Sequence, residues 1–234
     1  DFQQTEGATY LHVTSNNTIY GTQWKEFPKA ATYLVADMSS DILSRKINVS
    51  DFGLIYAGAQ KNMSCAGVTL AIIRKDVLGK VERSIPTMLD YATHIPEHSM
   101  FNTPPVFPIY VMNRTLAWLK ENGGVSAMEL LNNKKSGLLY EAIDNSKLFV
   151  GTAAKEDRST MNVPFIFNKE SVAAEKADEL QKEFLAFTKE RGLEQLKGHR
   201  SVGGFRASIY NAMPMEGVEA LVSAMADFEK KILG

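Results

Sequence analysis

The feature that most constrains this chain is a series of short apolar runs in its first third, each closed by small or turn-forming residues. Thr9–Thr14, Thr32–Ala36, Gly53–Tyr56 and Val68–Arg74 are rich in Val, Ile, Leu and Tyr and hardly alternate. Such runs predict strands covered on both faces, as in a mainly parallel sheet. Pro96, Pro104, Pro105 and Pro108 then predict irregular chain between Asp90 and Pro108. A helix is predicted from about Pro108 to Asn122, with proline in its first turn and Gly123-Gly124 ending it. Val125 to about Asn145 predicts another. Beyond these, Lys147–Val150, Met161–Phe167 and Phe205–Tyr210 predict strands. Glu170–Arg191 predicts an amphipathic helix with Ala174, Ala177, Leu180, Phe184 and Phe187 on its apolar side, and Met215–Leu233 a closing helix. The fold class expected is α/β, with an α/β piece over 1–130 and a small α+β domain over 131–234.

Composition excludes several classes. The 234 residues are 44% hydrophobic and 23% charged, which rules out disordered, collagenous and coiled-coil chains. With 26 basic and 27 acidic residues, the net charge of −1 argues against nucleic-acid and membrane-surface partners. No apolar run approaches the roughly 20 residues of a membrane span, and no basic-then-apolar leader opens the chain. A cytoplasmic location is therefore expected. The single cysteine, Cys65, excludes internal disulfides and zinc sites built on cysteine pairs, and reads as structural rather than nucleophilic. The opening Asp1-Phe2-Gln3-Gln4 lacks Met and leads within ten residues into the apolar Tyr10-Leu11-His12-Val13, as though the chain were entered in mid-domain.

Three places could carry chemistry. In Tyr56-Ala57-Gly58-Ala59-Gln60-Lys61-Asn62 a strand ends in small residues and a lysine follows at once. Small residues admit a bulky group to the backbone, and a desolvated lysine is a nucleophile; a solvated lysine in a turn is the alternative. Asp37 directly follows the run Thr32–Ala36, at the strand edge where open α/β sheets bind ligands; a turn former or helix cap is the alternative. His199-Arg200, with Arg206 beyond Gly203-Gly204, would suit an anion, because guanidinium forks match carboxylate and phosphate oxygens; a solvated basic turn is the alternative. His94 and His98 have metal-like spacing, but Pro96 between them breaks the helix that would aim both, and no metal is expected.

Taken together, these segments resemble the phosphoserine aminotransferase family, class-V enzymes of pyridoxal-phosphate fold type I with the aspartate-aminotransferase-like architecture. The resemblance runs through essentially the whole chain. It rests on Tyr56–Asn62, Ser99-Met100-Phe101-Asn102-Thr103-Pro104-Pro105, Lys197-Gly198-His199-Arg200, Gly203-Gly204-Phe205-Arg206-Ala207-Ser208, Tyr210–Pro214 and Glu216-Gly217-Val218, in that order.

The resemblance implies pyridoxal 5′-phosphate as cofactor and a role for each matched residue. Lys61 would carry the cofactor aldehyde as a Schiff base and shuttle the substrate proton. Asp37 would pair with the pyridine nitrogen. Thr18 would contact the cofactor, and Gln60 its phosphate. Asn102 and Thr103 would reach the phosphate of the neighbouring subunit, which implies a homodimer with a shared site. Arg206 would hold the substrate α-carboxylate, and His199 with Arg200 the distal phosphate or γ-carboxylate. The implied reaction is reversible transamination between phosphohydroxypyruvate with glutamate and phosphoserine with 2-oxoglutarate, in serine biosynthesis and, in bacterial relatives, pyridoxine biosynthesis. A fragment that keeps fold or dimer contacts without catalysis, and a cofactor enzyme of another reaction such as a desulfurase or decarboxylase, are the competing readings.

Family chains also carry an N-terminal portion that precedes anything seen in this sequence. Two local departures stand out: Met63-Ser64-Cys65 where relatives usually have Gly-Pro, and Ser15-Asn16 for a more usual Cys-Pro.

Overall fold

The structure is a computed structural model that describes residues 3–234; Asp1 and Phe2, where the expectation of a mid-domain start begins, lie outside the described residues. The strands in chain order are β1 (Tyr10–Thr14), β2 (Asn16–Asn17), β3 (Thr22–Gln23), β4 (Tyr33–Asp37), β5 (Leu54–Gly58), β6 (Thr69–Ile73), β7 (Phe149–Gly151), β8 (Asn162–Phe167) and β9 (Phe205–Ser208). The α-helices are α1 (Tyr91–His94), α2 (Val106–Glu121), α3 (Gly124–Asn145), α4 (Ala174–Lys189) and α5 (Met215–Leu233). The described chain divides into two compact units, one of residues 3–15, 27–42 and 47–121, the other of 16–26, 43–46 and 122–234.

The first unit is built on a sheet of order β1-β4-β5-β6. β1 pairs with β4 and β4 with β5 in parallel, whereas β6 runs antiparallel to β5. One face is dry: Val13, Leu34, Ala36, Ile55 and Ala57 are buried, with Met38, Ile42, Phe52 and Met63 also in this unit's core. The side-chain period of two places Tyr10, His12 and Thr14 on the opposite face, and there they are exposed. The expectation of strands covered on both faces therefore fails for β1, and for β6, which is largely exposed; these two are the edge strands of this sheet. In α2, Pro108 occupies the first turn, where a missing N–H is harmless, and Gly123 (φ 88°) follows the helix in a left-handed conformation that side chains resist. Leu119 is the one buried residue of α2. The short α1, capped by the Asp90 side chain on Ala92 N–H, interrupts a stretch expected to be irregular.

The second unit carries the antiparallel sheet β7-β8-β9 with α3, α4 and α5. Its core is aromatic. Phe184 of α4 is fully buried and meets Phe149, Phe205 and Phe228 with ring centroids 4.8–5.0 Å apart. Burying one such ring contributes about 1.5–3 kcal/mol. α4 starts later than expected, since Asn168 organises a turn by accepting from Glu170 N–H through its side chain and from Val172 N–H through its carbonyl. Ala174, expected on the apolar side, is consequently exposed in the first turn. The two-residue strands β2 and β3 pair antiparallel, Asn16 with Gln23 and Asn17 with Thr22; nothing in the hydrophobic pattern announces them.

Candidate active site

In the first unit, parallel pairing sets Asp37, the last residue of β4, directly opposite Tyr56 of β5. The Tyr56 phenol meets His12 Nε2 at 3.0 Å. Burial pushes the Tyr56 phenol above its ordinary pKa, and the charge of Asp37 and a hydrogen bond to its carboxylate push it further.

The same strand ends are tied by short local bonds. Ser39 N–H donates to Asp37 Oδ1 at 2.8 Å, and Gly58 N–H donates to Ser39 Oγ at 3.0 Å. After β5 the backbone makes a tight turn, with Met63 and Ser64 N–H both donating to Ala59 O at 3.0 and 2.8 Å. Lys61 is half-buried on that turn, and its successors anchor it: Asn62 donates to Ile42 O at 3.0 Å and Met63 is 1% exposed. A Cβ at Gly58 would lie 2.6 Å from Gln60 Oε1, so the Gln60 side chain folds back over the strand end. Asp37, Gln60 and Lys61 thus stem from two neighbouring, mutually bonded strand ends. Asn102 and Thr103 lie in the exposed segment before α2, with Asn102 Nδ2 donating to Thr103 O at 3.1 Å.

In the second unit, Arg206 on β9 reaches Thr18, whose carbonyl accepts from Nη1 at a long 3.4 Å. Asn17 Oδ1 holds the Thr18 turn by accepting from Ile19 and Tyr20 N–H at 3.0 and 3.1 Å. Arg206 Nε is buried with no hydrogen-bond partner, so part of the guanidinium fork is unspent. His199 and Arg200 lie on the loop that leads back into β9. That loop is closed by Gly198 N–H donating to Gly204 O at 2.8 Å. His199 Nδ1 accepts from Ser201 N–H at 3.3 Å, which leaves the neutral ring with its proton on Nε2; Arg200 is exposed.

Sequence reasoning missed Tyr56 and His12 as members of the site. The signal was available in the two-residue alternation, which puts His12, Asp37 and Tyr56 on one face once the strands are placed in register. His94 Nε2 engages Met88 O at 3.1 Å, and among the described residues no group of three or more His, Cys, Asp or Glu could hold a metal ion. Cys65 is exposed.

The family model for class-V aminotransferases matches residues 3–221. The chain belongs to the class-V aminotransferase family. Among class-V relatives, it is 56% identical over 226 residues to the phosphoserine aminotransferase of Parabacteroides distasonis, an alignment covering 97% of this chain and 62% of that protein. The solved phosphoserine aminotransferase of Bacillus circulans subsp. alkalophilus superimposes with a TM-score of 0.91 at 47% identity, over 98% of this chain and 62% of that one. The pyridoxal-phosphate-bound phosphoserine aminotransferase of Trichomonas vaginalis gives 0.90 at 43% identity, over 96% and 62%. The fold is the α/β aminotransferase fold of these structures. The chain spans about 62% of the length of the curated relatives it matches. Among the described residues, no helix is long and apolar enough to cross a membrane.

Proposed function

We propose that the chain carries much of the active site of a pyridoxal-phosphate-dependent phosphoserine aminotransferase. In this reading the first unit is the C-terminal part of the large cofactor-binding domain and the second belongs to the small domain, the division expected at about residue 130. The observation that carries the proposal is the bonded pair of strand ends, with Asp37 on one and the Lys61 turn on the other, tied through Ser39 and Gly58. The family match and the identity to enzymes of that name support it.

The residues present fit the cofactor. A carboxylate at one strand end would hold a proton at the ring nitrogen, an amine on the next turn would join the aldehyde carbon, and Gln60 and Thr18 would contact its periphery. Bound there, the cofactor supplies an electron sink for the bonds at the substrate Cα. Asp37, fixed by Ser39 N–H, keeps its charge aimed at one atom. Lys61 Nζ would take the proton from the substrate Cα and return it, as a half-buried amine on an anchored turn can do. Arg206 would hold the α-carboxylate with the donors it has not spent, and His199 with Arg200 would take the distal phosphate or γ-carboxylate. Two anion clamps suit an enzyme that accepts phosphoserine in one half-reaction and glutamate in the other, which would serve serine and pyridoxine biosynthesis in the cytoplasm.

A homodimer with a shared site belongs to the same reading. Asn102 and Thr103 are exposed beside the exposed apolar Met100, Phe101, Val106 and Phe107, a surface suited to burial against a second copy. There the two residues would reach the partner's cofactor phosphate.

The test is to add pyridoxal phosphate to the purified chain, record its visible absorption, reduce it with borohydride and map the labelled peptide. Label on Lys61 is expected; label on another lysine would overturn the assignment.

A further inference from the structure

Helix α3 buries an unusually polar stripe: Asn132, Lys135 and Ser136 lie among Met128, Leu139, Tyr140 and Ile143. Lys135 is 0% exposed, while its neighbour Lys134 faces water. An ammonium is almost never fully buried unless partners replace its hydration. Here Nζ donates to three backbone carbonyls, Ile209 O at 3.2 Å, Tyr210 O at 2.8 Å and Met213 O at 3.0 Å. Three N–H bonds meet three acceptors, and all three are main-chain carbonyls rather than carboxylates.

Those carbonyls belong to the segment through which the chain leaves β9 for α5. One turn earlier on α3, Asn132 Nδ2 donates to Asn211 Oδ1 at 2.9 Å and to Ser44 O at 3.0 Å. Asn211 in turn donates to Leu43 O at 3.0 Å, where the backbone takes a left-handed conformation at a non-glycine residue (φ 62°). Residues 209–213 are therefore gripped from one helix face, and their first member, Ile209, lies three positions after Arg206. The Arg206 guanidinium has one weak bond and a buried, unpartnered Nε, so little besides the placement of β9 sets where it stands.

We propose that Lys135 is a positioning residue whose tethered ammonium fills a cation site of backbone carbonyls, fixes the exit of β9 and thereby sets the stand of Arg206. Removing the side chain beyond Cβ would leave a carbonyl-walled cavity of the size and polarity of propylammonium. The functional meaning rests on the reading of Arg206 as the carboxylate clamp; the cation site itself does not.

The experiment compares the chain with Lys135→Ala and Lys135→Met by amide hydrogen exchange and by the NMR resonance of Arg206 Nε–H, assigned with Arg206→Lys. Loss of the ammonium is expected to speed exchange at Ile209 and Met213 by about tenfold or more, the effect of losing a charge-assisted hydrogen bond. The Arg206 Nε–H signal should shift or broaden in both variants. Propylammonium should restore both readouts in Lys135→Ala, whereas 1-propanol, of similar size but uncharged, should not. If Lys135→Ala folds only when propylammonium is present, that too supports the cation site. An unchanged Arg206 signal in folded Lys135→Met, or equal rescue by 1-propanol, overturns the proposal. Should Arg206→Lys leave glutamate binding intact while the Arg206 signal still follows Lys135, the carboxylate-clamp reading fails and the positioning role stands.

Discussion

Tyr56 stands directly opposite Asp37 across the parallel β4–β5 pair, its phenol meets His12 Nε2 at 3.0 Å, and burial and then the Asp37 charge raise its pKa. Asp37 Oδ1 accepts from Ser39 N–H at 2.8 Å. Burial and Asp37 together hold the phenol proton on Tyr56. Replacing Asp37 by Asn should lower the Tyr56 pKa toward the ordinary value without reaching it, because burial persists. A tyrosine Cζ carbon-13 titration would measure this, and an unmoved Tyr56 would refute the pairing. In Tyr56→Phe, His12 should lose its partner at Nε2, seen as a shift of that ring nitrogen's resonance.

The loop that carries His199 depends on a close backbone approach. A Cβ at Gly198 would fall 1.9 Å from Gly203 O, a backbone atom that cannot rotate away. Gly198→Ala should destabilise the chain by about 1–3 kcal/mol, as other overpacked sites do, and lower its melting temperature. It should also weaken binding of a doubly anionic substrate more than of a monoanionic one. Unchanged melting would contradict the packing.

Arg206 and Arg200 should separate by substrate. Arg206→Met should weaken every amino-acid substrate, while Arg200→Met should weaken only those with a distal anion. Dissociation constants for glutamate and alanine, measured with the cofactor-loaded protein, provide the comparison. Equal loss for alanine in Arg200→Met would remove that residue from the distal clamp.

A structural ion pair gives an acid-side prediction. Asp144 accepts two bonds from Arg158, at 2.6 and 2.9 Å, and Lys155 lies 3.1 Å away. The hydrogen bond from Arg158 leads the causes that hold the Asp144 carboxyl down at about 2, below the usual 3.8. A folded-state pKa below the unfolded one means stability that is present above about pH 4 and lost as pH falls toward 2. Asp144 is partly solvated, so Asp144→Asn should cost only about 1 kcal/mol at neutral pH. Urea unfolding at pH 7 and at pH 2.5 should show the difference between variant and parent shrinking on acidification.

Much of this was legible in the sequence for definite reasons. Non-alternating apolar runs marked β1, β4, β5 and β6, and the acid that ends β4 and the lysine after β5 marked the strand ends. The antiparallel sense of β6 was not legible, because direction leaves no trace in an apolar run. β2 and β3 were hidden because two residues make no pattern. The Tyr56–Asp37 pairing needed register, which only the folded sheet supplies. Lys135 was hidden most completely: Asn132-Asn133-Lys134-Lys135 reads as a solvated face, yet its first and last members point inward to backbone carbonyls that no sequence pattern announces.

Lys135 also yields the alkaline-side prediction. Burial lowers its ammonium from 10.5 to about 8, against the pull of three carbonyl acceptors. Here the folded pKa lies below the unfolded one for a cationic acid. Below pH 8 both states are charged, and the cost of burying the ammonium is felt in full. Between about 8 and 10.5 the folded chain has released a proton that the unfolded chain still holds, so stability contributed at this site rises with pH. A neutral amine keeps two N–H donors, so the grip on residues 209–213 weakens without vanishing. The other lysines and the tyrosines are common to the chain and to Lys135→Met, and they cancel in the difference between the two unfolding free energies. That difference should favour the parent increasingly from pH 8 to 10.5. A flat difference across that window would show that Lys135 titrates as an exposed lysine does.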